Sequence, residues 1–302
     1  MQFTSYLGKA MLALTSIGTL LMPAVARAGV AQHPQSARVE ALSGKSSIHT
    51  AAAKQASLVA LGDSISYGYN LGNNRAPSKK AFPYLIGQKV HDSVTDLAVP
   101  GWTTADLLNA LNTDQTTIAA VQNASVITID IGSNDLLKPA LPLLTSSSPT
   151  TVTSNQAQTL ATQLTAAVGT IGQNLTQIVQ RVQALNPKAT IVLYDLYDPI
   201  PSSAKALYLL AESAITAANL QIAQIALQDG IAVADAYDAF HGHHAYILKN
   251  DVHPTAQGQQ VLAQQGELAL KLAPVMKTID TPQGWQSISW WLGQQIVNLN
   301  SN

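Results

Sequence analysis

Two stretches far apart in the chain carry residue types that could do nucleophilic chemistry together. Gly62-Asp63-Ser64 ends an apolar run, Leu58 to Leu61. Asn250-Asp251-Val252-His253-Pro254 supplies an imidazole with a carboxylate beside it. A serine hydroxyl is a poor nucleophile until a base takes its proton, and an imidazole near neutral pKa can take it and later protonate a leaving alcohol. Attack on a carbonyl makes an oxyanion, which needs preorganised donors, and the backbone N–H of a serine on a tight turn is one. A bare Gly-Asp-Ser is by itself an ordinary turn, because all three residues are turn formers.

The elements around these stretches give them weight. Leu58 to Leu61 is short, continuous and apolar, the pattern of a strand covered on both faces in a parallel sheet. Val94 to Val99 reads as a second strand and ends at Pro100-Gly101-Trp102; Val126 to Ile131 reads as a third and ends at Gly132-Ser133-Asn134-Asp135. Three successive strands therefore close on a glycine turn, at the sheet end where α/β proteins bind ligands. Helices are expected over 81–91, from Thr103 onward, over about 160–185 and 203–228, and from Ala256 to Leu272; strands four and five over 190–196 and 231–234. Residues 139–155, rich in Pro, Ser and Thr, read as a surface excursion. Alternating strands and helices imply an α/β domain with a mainly parallel sheet.

Composition narrows the partners. The chain has 302 residues, a formal charge of −1 and no cysteine. Disulfides, a thiol nucleophile and Cys-ligated metal are thereby excluded, and without a basic excess no nucleic-acid partner is expected. Lys9, the apolar run from Ala10 to about Met22 and the small-x-small Ala26-Arg27-Ala28 have the form of a secretory signal cleaved after Ala28. Residues 29–56 read as a flexible linker or pro-segment, 57–275 as the catalytic domain, and 276–302 as a C-terminal amphipathic helix or tail carrying Trp285, Trp290 and Trp291. The apolar face of that terminal helix is expected to pack on its own domain, with a weak contact of the tryptophans with a lipid surface as the alternative, and a monomer is the expected state. His241-Gly242-His243-His244 lacks the spacing of a zinc site, so no metal and no cofactor are expected.

Taken in order, Gly62-Asp63-Ser64, Gly101, Gly132-x-Asn134-Asp135 and His253-Pro254 with Gly258 behind it resemble the blocks of the GDSL family of esterases and lipases, also called SGNH hydrolases. The resemblance spans about residues 57–272. It implies a flavodoxin-like three-layer α/β/α sandwich around a five-stranded sheet of order 2-1-3-4-5. It also implies Ser64 as nucleophile, His253 as general base, and an oxyanion hole made by the backbone N–H groups of Ser64 and Gly101 and the side-chain amide of Asn134. A glycine at 101 fits a close backbone approach with no room for a Cβ. Asp63 and Asp135 are expected to organise their turns.

One block departs from the family. Its aspartate usually stands three residues before the histidine, where this chain has Asn250; the aspartate here is Asp251, two before. Either Asp251 reaches His253 through a shifted loop, or Asn250 or a backbone carbonyl orients the ring. Asp251 is the preferred third member, because an amide would orient the imidazole without stabilising the imidazolium. The implied activity is that of a secreted esterase or lipase acting on small-molecule or lipid esters. Apolar Leu71, Trp102, Leu136, Leu137, Leu141 and Leu143 near the blocks favour acyl chains. The alternatives are a carbohydrate O-acetylesterase on the same fold, and a non-catalytic surface or binding protein.

Overall fold

The computed structural model describes residues 57–145 and 152–279. The expected signal sequence, the 29–56 linker and the tryptophan-bearing stretch of the C-terminal segment lie outside these residues.

Five strands form one parallel sheet: β1 (Ser57–Gly62), β2 (Ser93–Asp96), β3 (Val126–Asp130), β4 (Thr190–Tyr194) and β5 (Ala232–Ala234). Their order is β2-β1-β3-β4-β5, and every pair is parallel. β1, β3, β4 and β5 are largely apolar because both their faces are covered, whereas the edge strand β2, Ser93-Val94-Thr95-Asp96, is partly exposed. Val59, Leu61, Ile127, Ile129, Ile191 and Leu193 point into one core, and Leu58, Ala60, Val192, Tyr194, Ala232 and Ala234 into the other, as a period of two requires. Fully burying each large aliphatic side chain contributes about 1.5–3 kcal/mol relative to exposure.

The helices divide between the two faces. α1 (Ser64–Tyr67) is a single turn. α2 (Phe82–Val90), α8 (Ala236–Phe240) and α9 (Ala256–Ile279) cover the Leu58 face. α3 (Thr104–Thr113), α4 (Gln115–Asn123), α5 (Ser133–Leu144), α6 (Ser154–Leu185) and α7 (Lys205–Gln228) cover the Val59 face. α7 is long and apolar enough to cross a membrane, but Leu207, Ala214, Ile215, Ala218, Ile222 and Ile225 are buried in the core.

Three differences from the sequence reading have local causes. Residues 139–144 belong to α5 and not to a surface excursion, although Pro139 and Pro142 lie inside the helix. Each proline removes a backbone donor, yet Leu136, Leu137, Ala140 and Leu144 share the face that packs inward. Asp114 starts a separate helix, α4, because its carboxylate accepts from the N–H groups of Thr116 and Thr117. The regular part of β2 ends at Asp96, but its pairing continues: Leu97 N–H donates to Ala60 O and Val99 N–H to Gly62 O, at 2.9 and 3.1 Å. Those two bonds carry the Gly101 turn alongside the Ser64 turn.

Candidate active site

The chain leaves β1 for β2 on one side and enters β3 on the other, so the carboxyl ends of β1 and β3 flank a topological switch point. Ser64 stands there, as the first residue of α1. Asp63 caps that helix, its Oδ1 accepting from Ile65 N–H at 2.9 Å. Gly62 is required by crowding: a Cβ on it would come within 2.5 Å of both Asp130 O and Ser66 Oγ. The turn is therefore wedged against the neighbouring strand, and Ser64 is half-buried at its tip.

Asn134 ties this turn to the next. Its Nδ2 donates to Asp63 Oδ2 at 3.0 Å and to Trp102 O at 2.9 Å. Asp135 does the same for the start of α3, accepting from Thr104 N–H and Thr104 Oγ1 at 2.9 and 2.7 Å. Three turns from three strands are thus clamped together. Gly101 has φ +86°, and nothing lies within 4 Å of where its Cβ would stand. The crowding argument for this glycine is therefore wrong; the left-handed backbone requires it, and the space in front of it is open. Among the described residues, no acceptor faces the backbone N–H of Ser64 or of Gly101.

The histidine arrives from the other side. Asp251 Oδ1 lies 2.6 Å from His253 Nδ1, so the ring proton sits on Nδ1 and donates to the carboxylate. The same oxygen accepts from Val252 N–H at 2.7 Å. Asn250, at the position where the resemblance places an aspartate, has φ +57°, a left-handed conformation that Asn tolerates. The turn it makes brings the following residue, Asp251, onto the ring. His253 also lies beside Tyr69, ring centres 5.1 Å apart, and Tyr69 N–H donates to Ser64 O. No Ser64–His253 hydrogen bond is present among the described residues; such bonds commonly tighten only when substrate arrives.

One anchoring residue had no signal in the sequence reading. Gln259, wholly buried on α9, donates to Ile65 O at 2.9 Å and accepts from Phe82 N–H at 2.8 Å. It fixes the serine helix to the helix that follows the histidine. In the sequence it is only a glutamine six residues after His253.

Beneath the serine turn the electrostatics are unusual. Burial, and then the nearby Asp130, push the Asp63 carboxyl well above the usual range. Burial likewise pushes Asp130 up to about 7, with the Ser66 hydroxyl working in the opposite direction. The folded protein therefore holds a proton on this pair that the unfolded chain releases near pH 4. Its contribution to stability is complete below about pH 4 and is lost as pH rises through about 7. Asp130→Asn keeps an acceptor for Ser66 and removes Asp130's own titration and its charge beside Asp63. We expect it to raise stability at pH 8 by on the order of 2 kcal/mol and to flatten the fall in Tm between pH 5 and 8. An unchanged slope in a thermal-melt series would refute this.

An apolar slot opens at Ser64. Its mouth carries Ser64, Ser133, Asn134 and Val252, and its walls are Leu136, Leu137, Ala140 and Leu144 of α5, Leu160 and Leu164 of α6, and Leu207, Ala211, Ala214 and Ile215 of α7. The free volume is about 80 Å³. Of the apolar residues singled out in the sequence, Leu136 and Leu137 line it; Leu71, Trp102, Leu141 and Leu143 do not. His241, His243 and His244 are exposed, and no group of three or more His, Cys, Asp or Glu among the described residues is arranged to hold a metal ion.

Similar architecture occurs in solved structures. A lipase from a goat rumen metagenome superposes with a TM-score of 0.58 at 22% identity, covering 71% of this chain and 97% of its own. Phospholipase A1 from Streptomyces albidoflavus NA297 gives 0.57 at 20% identity, with 71% and 99% covered. The extracellular lipase of Streptomyces rimosus gives 0.57 at 22%, also with 71% and 99% covered. Likeness at this identity speaks to fold alone. No curated protein matches the sequence. The profile of the GDSL-like lipase/acylhydrolase family matches residues 60–261, two-thirds of the sequence, and the chain therefore belongs to that family.

Proposed function

We propose that this protein is an exported serine esterase that cleaves carboxylic esters of medium-length acyl chains. In this reading Ser64 Oγ attacks the ester carbonyl while His253 Nε2 takes its proton. Asp251 holds the imidazole with Nδ1 protonated and stabilises the imidazolium that forms. The oxyanion meets the backbone N–H groups of Ser64 and Gly101, and Asn134 joins them by turning one Nδ2 proton away from its present acceptor. The imidazolium then protonates the leaving alcohol, and water hydrolyses the acyl-enzyme by the reverse sequence. No cofactor enters these steps.

The observation that carries this reading is the apolar slot that begins at Ser64. An acetyl group would leave it unfilled, and a sugar ring would bring hydroxyls against leucine walls with no partners. A longer acyl chain finds apolar walls along its length. The test is a series of p-nitrophenyl esters from acetate to palmitate, with wild type and Ala211→Phe. Ala211 lines the slot and is half-buried, so a benzyl group there occupies chain space. We expect wild-type kcat/KM to peak at hexanoate to octanoate. We expect Ala211→Phe to lose roughly tenfold or more on octanoate while keeping acetate turnover. A wild-type profile confined to acetate would favour the carbohydrate deacetylase, and no hydrolysis of any ester would favour a binding protein.

A further inference from the structure

Asp251 is held at both oxygens, and only one of the holds comes from its own loop. Oδ1 accepts from His253 Nδ1–H and from Val252 N–H. Oδ2 accepts from Asn70 Nδ2 at 2.7 Å, across 181 residues of sequence. Asn70 follows the serine helix directly: Tyr69 N–H bonds Ser64 O, and the Tyr69 ring lies beside His253. Asn70 is itself fixed. Its N–H donates to Asn74 Oδ1 at 2.8 Å, and its Oδ1 accepts from Asn74 Nδ2 at 2.9 Å. Its φ of +64° is the left-handed region that asparagine tolerates. An exposed side chain with both ends committed in this way costs rotamer entropy on a surface loop, and among the described residues its one hydrogen bond outside that loop is to the carboxylate.

From this arrangement we infer that Asn70 is a positioning residue for the reaction, acting through Asp251 on His253. The inference rests on the reading of Asp251 as the acid of the catalytic set. A carboxylate gripped at one oxygen can swing about its Cβ–Cγ bond, carrying the imidazole with it. The second grip fixes the carboxylate plane, which fixes the ring relative to Ser64. Asn70 thus joins the serine loop to the histidine loop at the point where alignment matters most. Burial pushes the Asp251 carboxyl up, but the donors from Asn70, His253 and Val252 outweigh it and leave the group below the usual range. The group stays ionised, as an orienting partner must.

The test compares Asn70→Gly and Asn70→Asp in the full chain, with Asp251→Asn alongside. Glycine keeps the left-handed backbone and removes the donor. Aspartate keeps both the backbone preference and the acceptor facing Asn74, but sets a carboxylate against Asp251. We expect kcat to fall roughly tenfold in Asn70→Gly and further in Asn70→Asp, with KM within twofold and Tm near wild type. The low-field proton resonance of His253 Nδ1 should shift or broaden in both. Wild-type kcat with an unmoved resonance in Asn70→Gly would overturn the proposal. If Asp251→Asn collapses while Asn70→Gly keeps wild-type kcat, only the role of Asn70 falls. If Asp251→Asn keeps wild-type turnover, the reading of Asp251 falls, and the role of Asn70 with it.

Discussion

Ser64→Ala is expected to lower turnover on p-nitrophenyl hexanoate by about six orders of magnitude, the scale on which a serine hydrolase stripped of its nucleophile fails. The substitution removes one oxygen and little else. Ser64 is the first residue of α1, where alanine is an acceptable helix former, and Asp63 supplies the cap. The backbone N–H proposed for the oxyanion remains, as does the apolar slot. Substrate binding should therefore persist, with KM or the inhibition constant of a non-reactive acyl analogue unchanged within a few-fold. Loss confined to kcat separates a missing nucleophile from a damaged fold. Turnover within tenfold of wild type would mean that Ser64 is not the attacking group.

Replacing the carboxylate beside His253 gives the second large effect. Asp251→Asn should cost about 10⁴ in turnover, because an amide can orient the ring in the wrong tautomer and does not stabilise the imidazolium. Asn250→Gly should be nearly silent by comparison. The backbone at residue 250 is left-handed, glycine adopts that conformation freely, and no hydrogen bond from the Asn250 side chain reaches the ring among the described residues. Measured together under single-turnover conditions, the pair decides which residue orients the histidine. Collapse of Asn250→Gly with survival of Asp251→Asn would transfer the role to residue 250.

The strand ends were legible because their signals are local. A continuous apolar run stopped by glycine and a small polar residue reads as a buried strand and its turn from six or seven consecutive residues, and the turns after β1, β2 and β3 were found in this way. The two-faced alternation of Leu58 against Val59, or Ile191 against Val192, was not needed to see the strands, but it explains why β1 and β4 are largely apolar. Local reading failed where a partner far along the chain decides. Residues 139–144 carry two prolines and read as a surface segment; they are helical because the leucine face of α5 closes against α6 and α7. Gly101 was ascribed to crowding, but backbone handedness is the cause, and that depends on how β2 runs on along β1 to Val99.

The amino-acid sequence alone determined the layout of this protein: a parallel α/β sheet, the family, and the loops that carry Ser64, Gly101, Asn134 and His253. The sheet and the loops follow from short-range hydrophobic pattern and turn chemistry, which a chain states within a few residues, and the family from the resemblance of four short blocks in order. The tertiary structure alone decided that Asp251, rather than Asn250, faces the imidazole, that Asn70 grips it from the serine loop, and that an apolar slot between α5, α6 and α7 opens at the serine. The Asn70 grip and the slot are contacts between segments up to 181 positions apart, and the Asp251 contact, though only two residues from the ring, turns on the left-handed backbone at Asn250. Their energies depend on distance and orientation in space, which no local pattern of residues encodes.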